Sequence, residues 1–143
     1  MADSATHSAP GVRTISILGA TGSVGRSTVD VVRAHSDRFR VEALVGGRDA
    51  AALADLAISL GARFAAVADE EAGPALRAAL SGSGIACGAG PAAVLEAAER
   101  DADVVLAAVS GAAGLAPTAA AMKPGRAIAL ANKECLVSAG AAF

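Results

Sequence analysis

Hydrophobic positions along this chain alternate between two periods. Thr14–Leu18 (TISIL) is a short β-branched run that ends at a glycine, the pattern of a buried strand. Ser23–Ala34 follows with Val24, Thr28, Val31 and Val32 at helical spacing. Arg40–Val45 predicts a second strand, ended by Gly46 and Gly47. Asp49 is placed to cap a helix over Ala50–Leu60, whose Leu53, Leu56, Ala57 and Leu60 share a face and which Gly61 closes. Arg63–Val67 predicts a third strand and Asp69–Leu80 a third helix. Ile85–Cys87 predicts a short strand, and Pro91–Arg100 a helix with proline in its first turn. Val104–Ala108 predicts a buried strand, Leu115–Met122 a helix, Pro124–Gly125 a turn, and Arg126–Leu130 the last strand.

Strands that alternate with helices of this length imply βαβ units. Crossovers between parallel strands are right-handed, which leads to an α/β fold with a doubly wound, mainly parallel sheet, Rossmann-like, in a single domain. The domain is expected over residues 13–143. Residues 1–12 (MADSATHSAPGV) are small and polar and are expected to form a flexible extension. They lack the basic start and apolar centre of a signal peptide.

Composition narrows the choice. Hydrophobic residues are 54% and charged ones 18%, which is globular rather than disordered. With aromatics at 2% and no Trp or Tyr, the core must be aliphatic, and stacking platforms for single-stranded nucleic acid are missing. A formal charge of −2 argues in the same direction, against a phosphate-backbone binder. Val104–Met122 is uncharged, but it is mostly Ala and Gly and contains Ser110, Gly111, Gly114 and Pro117. A strand, a glycine turn and a short helix explain it better than a membrane span. A soluble, cytoplasmic protein without membrane or nucleic-acid partners is expected. Cys87 and Cys135 lie far apart with no zinc or CxxC spacing, and no Asp/Glu/His grouping has metal-ligand spacing. No metal site and no catalytic residue is expected within the chain. His35, Asp30, Asp101 and Asp103 are expected at helix ends, helix surfaces and turns.

In a doubly wound fold, ligands bind beyond the carboxyl ends of the strands. Gly19-Ala20-Thr21-Gly22-Ser23-Val24-Gly25 lies at such an end, directly after the first strand and opening the first helix. Gly19 suits the tight turn, Gly22 lets backbone approach a pyrophosphate, and Gly25 lets the helix pack closely on the strand. The amides of Gly22, Ser23 and Val24 would face the anion with the helix dipole behind them, and Thr21 and Ser23 add hydroxyls. No Lys follows the last glycine, so the turn is not a Walker A loop.

An acid about 20 residues beyond such glycines selects NAD. Here that position is Val45, followed by Gly46, Gly47, Arg48 and Asp49. Arg48 suits the 2′-phosphate that only NADP carries, while Asp49 either opposes that charge or caps its helix. At a later strand end, Asn132-Lys133-Glu134 sets an amide, a cation and a carboxylate together. A polar strand end explains the trio as well as function does. In the functional reading, Asn132 is a hydrogen-bonder, Lys133 a partner for an anionic substrate, and Glu134 an acceptor for ribose hydroxyls or a base.

Taken together, ILGATGSVGRSTVDVV (17–32), FRVEALVGGRD (39–49), VSGAAGLAPT (109–118) and LANKECLVSAG (130–140) resemble the N-terminal domain of the 1-deoxy-D-xylulose 5-phosphate reductoisomerase family. The last segment is the most specific, because generic dinucleotide-binding domains do not carry it. The resemblance runs from about Arg13 to Phe143. It implies that Thr21, Gly22, Ser23 and Val24 contact the pyrophosphate of NADPH, and that Gly47, Arg48 and Asp49 surround its 2′-phosphate. Asn132 and Glu134 would hold the nicotinamide side and Lys133 would touch substrate. Ala20 and Cys135 stand where serine is common, and Arg48-Asp49 where Lys-Asn is common. The family's catalytic domain, with acidic ligands for Mg²⁺ or Mn²⁺, is expected beyond Phe143, and so is the surface through which the family is usually a homodimer. The resemblance therefore implies a cofactor-binding part that is inactive alone, within a parent acting on a sugar phosphate in non-mevalonate isoprenoid biosynthesis. Two other readings use the same domain. A semialdehyde-type dehydrogenase needs a nucleophilic cysteine, for which Cys135 is the nearby candidate. A non-catalytic NADP-sensing domain would have no need of Lys133.

Overall fold

A computed structural model describes residues 11–109 and 112–131. Among these residues six strands form one sheet: β1 (Arg13–Leu18), β2 (Phe39–Gly46), β3 (Phe64–Val67), β4 (Ala86–Ala89), β5 (Val104–Ala107) and β6 (Ala127–Leu130). Their spatial order is β4-β3-β2-β1-β5-β6, and every neighbouring pair is parallel. The chain winds outward from β1 to β4 on one side, then returns to place β5 on the other side of β1. β1 is thus the switch point, where the carboxyl edge opens a crevice.

Among the described residues five helices cover the sheet: α1 (Ser23–Ala34), α2 (Ala50–Leu60), α3 (Gly73–Ala79), α4 (Pro91–Glu99) and α5 (Leu115–Ala121). Two cores follow from the alternation of side chains along each strand. On one face Ile15, Ile17, Leu44 and Leu106 pack under Val29 and Val32 of α1, Leu53 of α2 and Leu76 of α3. On the other, Leu18, Val45, Phe64 and Val105 pack under Val94 and Ala97 of α4 and Ala121 of α5. Apart from Phe64, and Phe39 packed against the first, both cores are built from aliphatic side chains and alanine, as the scarcity of aromatics requires.

Three expectations shift. The inward face of α1 is Gly25, Val29 and Val32, whereas Val24 and Val31 are 45% and 53% exposed. Glycine at position 25 lets the helix sit so close that its axis turns those two valines outward. The helix expected over 69–80 divides into a 3₁₀ turn, Glu70–Ala72, and α3, because Pro74 lacks the amide needed to continue the upstream ladder. β4 lies at 86–89 rather than 85–87. The remaining signals are where the sequence put them. Asp49 Oδ1 accepts from the Ala52 amide to cap α2, Gly61 closes it at φ +66°, and Pro91 occupies the first turn of α4.

Polar groups fasten the parallel strands at their other edge. Asp103 accepts from both the amide and the hydroxyl of Thr14, while the Thr14 hydroxyl accepts from the Asp103 amide, locking the starts of β1 and β5 together. Glu42, buried on β2, receives Nε of Arg100 at 2.9 Å, and the Arg100 guanidinium lies 4.9 Å over the Phe64 ring. Arg126, just before β6, donates to the carbonyls of Ala98, Arg100, Ala102 and Ala121. Burial lowers the pKa of its guanidinium, and nearby Asp101 partly offsets that. No helix among the described residues is long and apolar enough to cross a membrane.

Candidate functional site

The site begins where β1 stops. Gly19 turns the chain at φ +95°, a conformation that disfavours a side chain. A Cβ there would also lie 2.7 Å from the Ala108 carbonyl oxygen, just beyond β5. The amides of Gly19 and Ala20 both donate to the Val45 carbonyl, which ties the turn to β2. The glycine turn therefore spans the switch point, touching the ends of β2 and β5 together. Gly25 makes the second close approach. Its Cβ would overlap the Gly19 carbonyl oxygen and sit 2.7 Å from Ala20 Cα.

Gly22 differs from both. It is the N-cap of α1 in extended backbone, without a side-chain cap, and a Cβ there would meet nothing nearer than 3.6 Å. The first amides of a helix have no partner inside the helix. Here the Gly22 amide donates to the Gly19 carbonyl at 3.3 Å, and Gly22, Ser23 and Val24 are all exposed, which leaves the Ser23 and Val24 amides for a ligand. A helix dipole and unsatisfied amides at an exposed, uncapped start are what an anion requires. The three glycines thus divide their work as the spacing predicts, two for packing and one for access.

The end of β2 forms the next wall. Gly46 is buried against the Thr21 side chain, whose Oγ1 would stand 3.4 Å from a Cβ at position 46. The carbonyls of Gly46 and Gly47 accept from Ala68 and Asp69, so this backbone is held by the end of β3. A Cβ on Gly47 would meet no atom within 4 Å, and Arg48 beside it is exposed. Among the described residues the ion pairs join Arg100 to Glu42 and Glu96, leaving Arg48 unneutralised. The Asp49 carboxylate is engaged in capping α2. This open backbone with a cation beside it fits the phosphorylated ribose of a dinucleotide.

Asn132, Lys133 and Glu134 lie outside the described residues, as do Cys135, Ser110 and Gly111. The last described residue, Ala131, donates its amide to the Ala107 carbonyl. Among the described residues no three His, Cys, Asp or Glu side chains are grouped to hold a metal ion. Sequence reasoning missed Arg26, whose Nε donates to the Thr21 carbonyl at 2.9 Å. Its place directly after Gly25 was a visible signal, since a long cation there can fold back onto the turn.

The model of the 1-deoxy-D-xylulose 5-phosphate reductoisomerase family matches residues 15–140. The reductoisomerases of Rhodopseudomonas palustris (strain TIE-1) and Afipia carboxidovorans are each 60% identical over 133 residues, which is 93% of this chain and 33% of each relative. The chain thus spans about one third of the length of the curated relatives it matches. Among solved structures, the reductoisomerase from Zymomonas mobilis in complex with NADPH aligns at a TM-score of 0.89 with 46% identity. That alignment covers 92% of this chain and 35% of the other. A reductoisomerase in complex with NADPH, fosmidomycin and magnesium aligns at 0.84 with 36% identity, covering 90% of this chain and 32% of that one. With the glycine turn, the strand order and this match in agreement, the chain belongs to the 1-deoxy-D-xylulose 5-phosphate reductoisomerase family.

Proposed function

We propose that this chain is the NADPH-binding part of an enzyme that isomerises and reduces 1-deoxy-D-xylulose 5-phosphate to 2-C-methyl-D-erythritol 4-phosphate. The observation that carries the reading is the uncapped start of α1 beside the Arg48 loop, on one edge of a sheet whose structural neighbour was solved with NADPH. The amides of Ser23 and Val24, with the Thr21 and Ser23 hydroxyls, hold the pyrophosphate, and Gly22, whose own amide is spent on the Gly19 carbonyl, lets it approach the backbone. Gly47 gives the adenosine end room, Arg48 pairs with the 2′-phosphate, and Asp49 orders the loop by capping α2. Asn132 and Glu134 hold the nicotinamide side and Lys133 meets the sugar phosphate. When bound, NADPH supplies the reducing equivalents, while this chain's residues fix where the ring lies. Residues 13–143 form the cofactor domain and 1–12 an extension. Mg²⁺ or Mn²⁺, dimerisation and turnover belong to a longer, cytoplasmic parent, and the chain alone binds without catalysing.

Calorimetric titration of this chain with NADPH and with NADH tests the reading, together with an assay for substrate-dependent NADPH oxidation. Tighter binding of NADPH and no turnover are expected. Preference for NADH would overturn the cofactor assignment, and turnover would overturn the assignment of chemistry to a longer chain.

A further inference from the structure

We propose that Arg26 is a second specificity residue for the 2′-phosphate, forming with Arg48 a two-guanidinium clamp; this rests on the cofactor reading above. Arg26 is the first residue after the glycine turn. Its exposed side chain folds back over the turn, with Nε donating 2.9 Å to the Thr21 carbonyl. The Thr21 side chain stands 3.4 Å from where a Cβ on Gly46, the last residue of β2, would lie, and Gly47 and Arg48 follow. Arg26 also lines one cleft with Ala52, the residue whose amide the Asp49 carboxylate caps, so it stands on the side of α1 that faces the start of α2, shortly after Arg48. Gly47 leaves the space over the Arg48 loop open.

The two cations are available for a ligand. Arg100 and Arg126 spend their guanidiniums on Glu42 and on backbone carbonyls, and Arg33 donates to Ser59 Oγ. Among the described residues neither Arg26 nor Arg48 has a carboxylate partner. With Nε engaged by Thr21, the two terminal nitrogens of Arg26 remain as a donor pair, the fork that suits phosphate oxygens. A ribose 2′-phosphate offers three oxygens and close to two charges, more than one guanidinium satisfies.

Two carboxylates also bear on Arg26. It lines a cleft of about 370 Å³ between α1 and α2 with Asp30, Arg33 and Asp55. Asp30 and Asp55 balance Arg26 and Arg33 within the cleft, so it gathers no net positive charge, and the clamp has to form on the side of Arg26 that Thr21 anchors. The clamp therefore has a position as well as a charge.

The test uses the 143-residue chain with adenosine 2′,5′-bisphosphate and 5′-AMP as calorimetric probes, in the wild type, Arg26→Gln, Arg48→Gln and the double variant. Glutamine places an amide nitrogen where Arg26 has Nε, so the Thr21 contact survives while the charge is removed. Arg26→Gln is expected to weaken the bisphosphate about tenfold, the scale of one lost charge-assisted contact, with AMP changed less than twofold. The double variant should lose the preference for the bisphosphate. An unchanged ratio of the two affinities in Arg26→Gln, with Arg48→Gln still lowering it, would overturn the clamp and leave the cofactor reading intact. Equal weakening of both probes would also overturn it, since Arg26 would then only shape the turn. A wild type that binds neither probe would overturn the clamp together with the reading it rests on.

Discussion

A Cβ on Gly25 would overlap the carbonyl oxygen of Gly19, so α1 and the end of β1 meet backbone to backbone. The overlap involves main-chain atoms on both sides, and no side chain can swing away to relieve it. Gly25→Ala must therefore push α1 off the sheet. A loss of about 1–3 kcal/mol is expected from this overpacking, read by urea unfolding of the chain. Nucleotide binding should fall with it, because the same shift displaces the amides of Ser23 and Val24.

Arg48 and Asp49 are adjacent but have different tasks, and substitution separates them. Arg48→Gln should leave the denaturation midpoint unchanged and weaken NADPH relative to NADH about tenfold, in a titration at low salt. Asp49→Ala should cost about 1 kcal/mol through loss of the cap on α2. Asp49→Asn keeps a capping oxygen and removes the charge, so stability should hold while NADPH binding tightens. A fall in stability on Asp49→Asn would mean that the charge, and not the cap, is what α2 needs.

Ser16 lies in β1 with its side chain fully buried, and its hydroxyl has no hydrogen-bond partner among the described residues. An unsatisfied buried hydroxyl costs on the order of 1 kcal/mol. Ser16→Ala is thus expected to stabilise the chain by about that amount, measured by thermal or urea unfolding. A destabilised Ser16→Ala would show that the hydroxyl is bound in solution.

Arg126 makes the converse case. Its guanidinium closes four carbonyls that Arg126→Met would leave without that partner. A cost of about 2–3 kcal/mol is expected from unfolding curves, since these are hydrogen bonds to a charged group. Arg126→Lys should recover only part of it, because a point charge cannot reach carbonyls from α4, α5 and the loop between α4 and β5 together.

Much of the architecture was legible because its signals are local. The strand-to-helix alternation, Asp49 before α2, Gly61 after it and Pro91 at the start of α4 each act within a few residues. The glycine turn was legible for the same reason, and the three glycines behave as their spacing requires. What the sequence concealed depends on contacts far along the chain. Val24 and Val31 have helical spacing, but which face of α1 turns inward is decided by the approach at Gly25. The pairings of Glu42 with Arg100 and of Thr14 with Asp103 join residues with no local relation, and only the strand order brings them together. In the candidate site, the fold-back of Arg26 onto the Thr21 carbonyl was hidden because the sequence does not tell it from a helix cation that only meets water.

The four carbonyls around Arg126 also bear on how the domain can be divided. They come from the end of α4, the loop after it and the end of α5, so one side chain near the last strand finishes surfaces made much earlier. A fragment ending before residue 126 would retain β1 through β5 and the whole glycine turn, yet three segments would lose their common tie. The smallest separable unit that binds a nucleotide is consequently set by a residue remote from the nucleotide, and shortening the chain past residue 126 should undo the fold while the glycine turn and the Arg48 loop, the contacts to the cofactor's own phosphates, are still present.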